Sequence, residues 1–180
     1  MEPVFLKGDR VHLRKLRLDD FDSVFKNMND LDVNYYFMER PYTAEKVMEF
    51  VNPSTNQEHF AICLNSTNQM IGHLDFHPFF MVHTYEIGWA LDKKYHHMGY
   101  ALEAASLMMH YAFVDCKAHR VIATCQPTNL PSKRLCEKLN MRLEGTFIQC
   151  IYNPHEDLWF DELFYAILKD DYFRINERVE

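Results

Sequence analysis

The sequence predicts a mixed α/β fold, and three observations carry that reading. Short segments that alternate apolar and polar residues recur along the chain, the period-two mark of strands. Between them lie stretches whose apolar residues fall at i, i+3, i+4 and i+7, one face of a helix. In the middle third, YEIGWALDKKYHHMGYALEAA (residues 85–105) runs from an alternating strand through a charged turn to Gly99, where a helix begins. The chain has 180 residues, 48% of them hydrophobic, which suits one domain over residues 1–180 with a substantial core.

RVHLRKL (10–16) reads as a first strand. In LDDFDSVFKNMND, Phe21, Val24, Phe25 and Met28 share one helical face, with Asp19 as the expected cap. TAEKVMEFV, after Pro41, is a second helix capped by Thr43. EHFAICL alternates Phe60, Ile62 and Leu64; NSTNQ is a turn, and MIGHLDFH returns as the other arm of a hairpin. HTYEIGWALD sets Tyr85, Ile87, Trp89 and Leu91 on one face and Glu86, Gly88 and Ala90 on the other. ALEAASLMMHYAFVD is a helix with Leu102, Ala105, Ser106, Met109 and Phe113 along one side. HRVIATC is a strand, and LPSKRLCEKL is a helix with Pro131 in its first turn. MRLEGTFIQCIYN and LWFDELFYAIL are two last strands joined by NPHED. The central strand–turn–helix–strand unit predicts a right-handed parallel crossover.

Several function classes fall away. No apolar run reaches the length of a membrane helix, and MEPVFLKGDR lacks the layout of a signal peptide, so a cytoplasmic protein with no membrane partner is expected. The five cysteines, Cys63, Cys116, Cys125, Cys136 and Cys150, contain no CxxC pair and are expected to be free buried thiols. The net charge of -7 and the lack of a basic stripe argue against nucleic acid as a partner. An acidic balance suits a cationic small substrate slightly better.

Gly99 needs a reason in a chain of five glycines. A helix N-terminus carries unsatisfied N–H groups and a partial positive charge, and a preceding glycine lets a phosphate approach them. Lys93, Lys94, His96 and His97 add positive or donor character, and Ala101 leaves the first turn unobstructed. A plain tight turn is the alternative.

The stretch resembles motif A of the GNAT superfamily of N-acetyltransferases, Q or R, two residues, G, one residue, then G or A, with His96, Gly99 and Ala101 in those places. His96 departs from the usual Gln or Arg. EIGWAL, GYALEA, Ala112–Phe113, HRVIA, TNLPS, CEKLNM, LEG and WFDELFYAIL fall in the order of the RimJ/RimL-type branch, which acetylates ribosomal-protein N-termini. Asn140 and Met141 depart from that branch at a glycine and an aromatic. Spermidine and aminoglycoside acetyltransferases are similar at this level.

The resemblance implies a mixed, mostly antiparallel central sheet flanked by helices, with acetyl-CoA (coenzyme A) bound at the strand–turn–helix. The pyrophosphate would sit on the amides of His97, Met98, Gly99, Tyr100 and Ala101. The pantetheine arm would pair with the backbone of Trp89, Ala90 and Leu91, in a gap between that strand and HRVIATC. An amine must lose a proton before it attacks a thioester, the growing oxyanion needs donors, and the thiolate needs an acid. Glu86 is the candidate base, acting through water, or else a solvated strand carboxylate. The resemblance implies a backbone N–H near Trp89 or Ala90 for the oxyanion. In TNLPS, Asn129 and Ser132 match the family's N-x-x-S element: Asn129 would hold the cofactor arm, and Ser132 would protonate the sulfur. Ser132 is also an ordinary first-turn residue.

HLDFH puts His73, Asp75 and His77 on one strand face; no metal is expected, and Asp75 is a candidate contact for a cationic acceptor. Tyr35, Tyr36 and Tyr42 suit an acceptor cleft, with Tyr36 favoured, while Phe37 reads as core. Trp159 and Asp161 either border the cleft or sit on a surface hairpin. The expected activity is direct acetyl transfer to a primary amine, favouring a protein or peptide N-terminus. A small-amine acetyltransferase and a non-catalytic acetyl-CoA sensor are the alternatives. Pairing of the two C-terminal strands between subunits would give a homodimer.

Overall fold

The computed structural model describes residues 4–36, 41–154 and 156–176. Phe37, expected in the core, and His155 of the NPHED turn lie outside the described residues. The strands are β1 (Leu6–Lys7), β2 (Val11–Lys15), β3 (His59–Leu64), β4 (Met70–Pro78), β5 (Thr84–Leu91), β6 (Arg120–Cys125), β7 (Arg142–Asn153) and β8 (Leu158–Leu168). The helices are α1 (Phe21–Met28), α2 (Leu31–Asn34), α3 (Ala44–Val51), α4 (Tyr100–Val114), α5 (Leu130–Lys138) and α6 (Lys169–Asn176). One eight-stranded sheet runs in the order β1-β2-β3-β4-β5-β6-β8-β7. It is mostly antiparallel, with β5 and β6 parallel as the crossover pattern requires. Among the described residues no helix is long and apolar enough to cross a membrane.

The chain divides into two compact units, residues 1–76 with 88–108, and residues 77–87 with 109–180. In the first, β2 pairs with β3 (Val11↔Leu64, Leu13↔Ile62) and β3 with β4 (Phe60↔Leu74). Helices α1 and α3 cover this region with a core of Leu16, Val24, Met28, Val47, Val51, Ala61 and Cys63. Thr43 caps α3 as expected, its Oγ1 accepting from Lys46 N at 3.3 Å. Asp19 does not cap α1. The residue before the helix is Asp20, and its carboxylate turns inward to a bidentate pair with Arg14, both contacts 2.7 Å. Both side chains are about 95% buried, so each charge depends on the other. Gly72 answers to a steric demand: a Cβ there would sit 2.3 Å from the Ala90 carbonyl oxygen, so only glycine lets β5 lie this close.

In the second unit, β5 and β6 pair from Thr84↔Arg120 to Glu86↔Ile122, and β6 runs antiparallel to β8 (Thr124↔Phe164). Tyr172 of α6 stacks on Phe113 at 4.6 Å. Helix α4 has residues in both units, burying Ala104, Ala105 and Met108 in the first and Met109, Ala112 and Phe113 in the second. Ser106, expected on that face, is exposed, and Leu102 is half-buried. Small residues at 104, 105 and 112 shift the buried stripe by about one position from the expected one. The sequence reading omitted β1, α2 and α6.

Candidate active site

The turn before α4 is built from two left-handed residues, His97 (φ 62°) and Gly99 (φ 82°). Side chains other than glycine adopt this region at a cost, which suits glycine at 99. A Cβ on Gly99 would also come within 3.2 Å of Arg10 Nη2. The Glu103 amide is bonded to the Gly99 carbonyl at 3.1 Å, and the N–H groups of residues 100–102 precede the first intrahelical bond. The one acidic residue of this first turn, Glu103, is drawn aside. Its Oε1 accepts from the backbone N–H groups of Arg10 (2.7 Å) and Val11 (3.1 Å), and its Oε2 from Arg10 Nε (2.8 Å). Burial pushes the Glu103 carboxyl up, but these donors and the guanidinium together hold it below the usual carboxylate range. A glycine cradle, open amides and an adjacent guanidinium fit a diphosphate.

His96 behaves differently from its expected place in the motif. Its Nε2 lies 2.9 Å from the Leu91 carbonyl oxygen, which can only accept, so Nε2 carries the proton and that donor is committed to β5. Lys93 and Lys94 form a short 3₁₀ turn capped by Asp92. Ala90 and Leu91 are buried and Trp89 is half-buried, and the Asp92 amide donates to Ile71 O at 2.9 Å.

Glu86 sits in the other unit, at the end of the β5–β6 ladder. Thr124 Oγ1 donates to Glu86 Oε1 at 3.1 Å, and His77 Nε2 lies 3.4 Å from Oε2. Glu162 on β8 lies beside the same Thr124 hydroxyl, whose one proton goes to Glu86. Burial, and then the charge of Glu86, push the Glu162 carboxyl up against the opposing pull of the hydroxyl. Register explains the grouping: Glu86 is opposite Ile122, and Cys125 opposite Leu163, so 86, 124 and 162 fall on one face of three adjacent strands. At the start of α5, Asn129 Oδ1 accepts from Ser132 N at 3.2 Å, an N-cap bond. Ser132 is half-buried.

The HLDFH residues part company. His73 is fully buried against Phe50, and burial pushes its pKa down to about 4. Asp75 pairs with His59 at 3.2 Å, and His77 serves Glu86. Among the described residues no group of three ligating side chains could hold a metal ion. Tyr36 is half-buried and packs edge-on against Tyr35, 4.9 Å between ring centroids. Tyr42 lines a cleft of about 570 Å³ with Lys46, Glu49, Phe50 and His59. Trp159 is 56% exposed and packs on Tyr152 across the β7–β8 hairpin. Asp161 accepts from Gln149 N at 2.8 Å. Of the cysteines, Cys63, Cys125 and Cys136 are buried as expected, whereas Cys116 is half-buried and Cys150 exposed.

The family model described as "Acetyltransferase (GNAT) domain" matches residues 10–142. The chain belongs to the GNAT family. The uncharacterized N-acetyltransferase YnaD of Bacillus subtilis is 40% identical over 165 residues, covering 91% of this chain and 96% of that protein. A GNAT-family acetyltransferase structure from Bacillus anthracis is 44% identical, with TM-score 0.85, over 92% of this chain and 98% of that one. Two more distant structures share the fold. One is the ribosomal-protein-S5-alanine acetyltransferase of Vibrio fischeri (18% identity, TM-score 0.77, 95% and 99% covered). The other is the spermidine N-acetyltransferase of Vibrio cholerae in complex with CoA and spermine (19%, 0.79, 92% and 99%). This GNAT chain is therefore an acetyl-CoA-dependent N-acetyltransferase, which sets aside the binding-only alternative. From the structure, Arg10 joins the Gly99 turn in the first unit, and Thr124 and Glu162 join Glu86 in the second. Each meets its partner only through strand register or distant sequence, and no local motif announces it.

Proposed function

We propose that residues 1–180 act as one N-acetyltransferase domain of the RimJ/RimL type, whose acceptor is the α-amine of a protein or peptide. The GNAT match runs across every boundary between the two compact units, which supports one functional domain. The observation that carries the chemistry is the Glu86 carboxylate, held by Thr124 and His77 with Glu162 beside it. Acetyl-CoA supplies an activated thioester carbonyl. The amides of residues 97–101 bind its diphosphate, and the backbone of Trp89, Ala90 and Leu91 orients the pantetheine arm. Glu86 takes one proton from the acceptor ammonium, directly or through water. As the N–C bond forms and the C–S bond breaks, Ser132 gives its hydroxyl proton to the sulfur and is reprotonated by the second proton leaving the nitrogen. Asn129 uses its Oδ1 on the helix cap, which leaves its amide nitrogen to hold the cofactor arm. Tyr36, Asp75 and Trp159 are the acceptor candidates of this reading.

A fold likeness to an S5-alanine acetyltransferase supports the protein acceptor. The net charge of -7 and the likeness to a spermidine acetyltransferase support a second reading, a polyamine acceptor. Thiol release from acetyl-CoA, measured with peptides bearing free N-termini, spermidine, an aminoglycoside and free amino acids, separates them. Peptide-dependent release is expected; release with spermidine alone would overturn the favoured acceptor.

A further inference from the structure

Arg10 is half-exposed, and an exposed ion pair contributes little to stability. Yet this one side chain ties the turn before α4 to the first turn of that helix. Nη1 donates to the Met98 carbonyl at 2.9 Å, Nε donates to Glu103, and the guanidinium lies 5.0 Å over the Tyr100 ring. Its Nη2 would lie 3.2 Å from a Cβ at residue 99. The turn it grips contains His97 in a left-handed conformation, which holds only where the surroundings impose it. The contact with Met98 engages the carbonyl of the one residue between the two left-handed ones, and the contact with Glu103 neutralises a negative charge in the first turn of the helix.

We infer that Arg10 is a positioning residue for the donor diphosphate, latching the Gly99 turn through Met98 and Glu103 so that its amides keep their binding shape. This rests on the reading that the diphosphate sits on residues 97–101. The latch joins residues 93 positions apart, and the GNAT match begins at residue 10 itself.

The test compares two donors, acetyl-CoA and S-acetyl-pantetheine, which lacks the diphosphate. It uses wild type, Arg10→Ala, Arg10→Lys and Glu103→Gln, with the Kd of CoA measured separately by calorimetry. For Arg10→Ala, the CoA Kd and the acetyl-CoA KM are expected to rise about tenfold, the scale of one or two lost charge-assisted hydrogen bonds. The kcat stays within about twofold, and the KM for S-acetyl-pantetheine does not move. Arg10→Lys recovers part of the loss, because an ammonium can still pair with Glu103 but not bridge the whole turn. Glu103→Gln shifts the CoA Kd in the same direction. An equal rise for both donors would make Arg10 merely structural, and no change in CoA affinity would also overturn the latch. If wild type itself shows equal KM for the two donors, the diphosphate reading fails first and the latch falls with it.

Discussion

The N-termini of α4 and α5 are finished in opposite ways. Helix α5 closes on itself: Asn129 Oδ1 caps the Ser132 amide, and Pro131 removes a donor that would need a partner. At α4, among the described residues, no side chain accepts from the amides of residues 100–102, and the nearby carboxylate of Glu103 is engaged by Arg10. A short capped helix is finished by its own sequence. The open helix leaves its donors for something brought from outside, with a cation already beside them. This difference teaches more about function than the presence of Gly99 alone.

The comparison can be broken in descending order of effect. Glu86→Gln removes the proposed base and should lower kcat at least about 100-fold, the usual range for a general base, with the CoA Kd nearly unchanged. A single-turnover assay beside calorimetry checks both halves; full activity would move the chemistry off this carboxylate. Gly99→Asp would set a carboxylate and a Cβ at the left-handed position, facing the open amides of α4. The CoA Kd should rise about 30-fold, the effect of a lost anion site and a strained left-handed residue together. Wild-type affinity in this variant would mean that the open N-terminus binds nothing.

Asn129→Asp sharpens the other side. An aspartate caps as well as an asparagine, so the melting temperature should hold, while the lost amide donor should raise the acetyl-CoA KM about fivefold. An unchanged KM would leave Asn129 a cap and nothing more. The smallest effect guards against a false reading of pH profiles. His73 has a folded-state pKa of about 4, below its ordinary value near 6.5. Below pH 6.5 the unfolded chain takes up the proton first, so stability falls as pH drops from 6.5 toward 4. Between pH 7 and 6 this amounts to about 0.7 kcal/mol, and His73→Gln should remove it in urea titrations at the two values. A loss of activity over that interval that survives in His73→Gln comes from the site and not from the fold.

The sequence made legible whatever depends on neighbours. Alternation and β-branched content mark β2 to β8, the cap at Thr43 holds, and Gly99 stands at φ 82° where the turn needs it. Glu86 stands out by alternation together with the resemblance, which assigns its strand to the pantetheine arm. What stayed hidden depends on partners outside each segment. Asp20, rather than Asp19, faces inward because Arg14, six residues back on β2, is buried and holds its carboxylate. Glu162 joins Glu86 through a threonine on β6, and the register that aligns them is invisible in any one segment. Short α2 and the polar α6 carry too few apolar residues to show a period.

Strand β7 is the outer edge of the sheet, and its ladder to β8 is broken between Phe147 and Ile151. Three β7 residues there face one on β8, Gln149 takes φ 47°, and its N–H is held by Asp161. Phe147 and Ile148 stand exposed beside the break. An unbroken apolar edge of this length would be a template on which further chains could stack into fibrils. The kink held by Asp161 divides that edge into shorter, more twisted pieces, the kind of break that blunts pairing between edges.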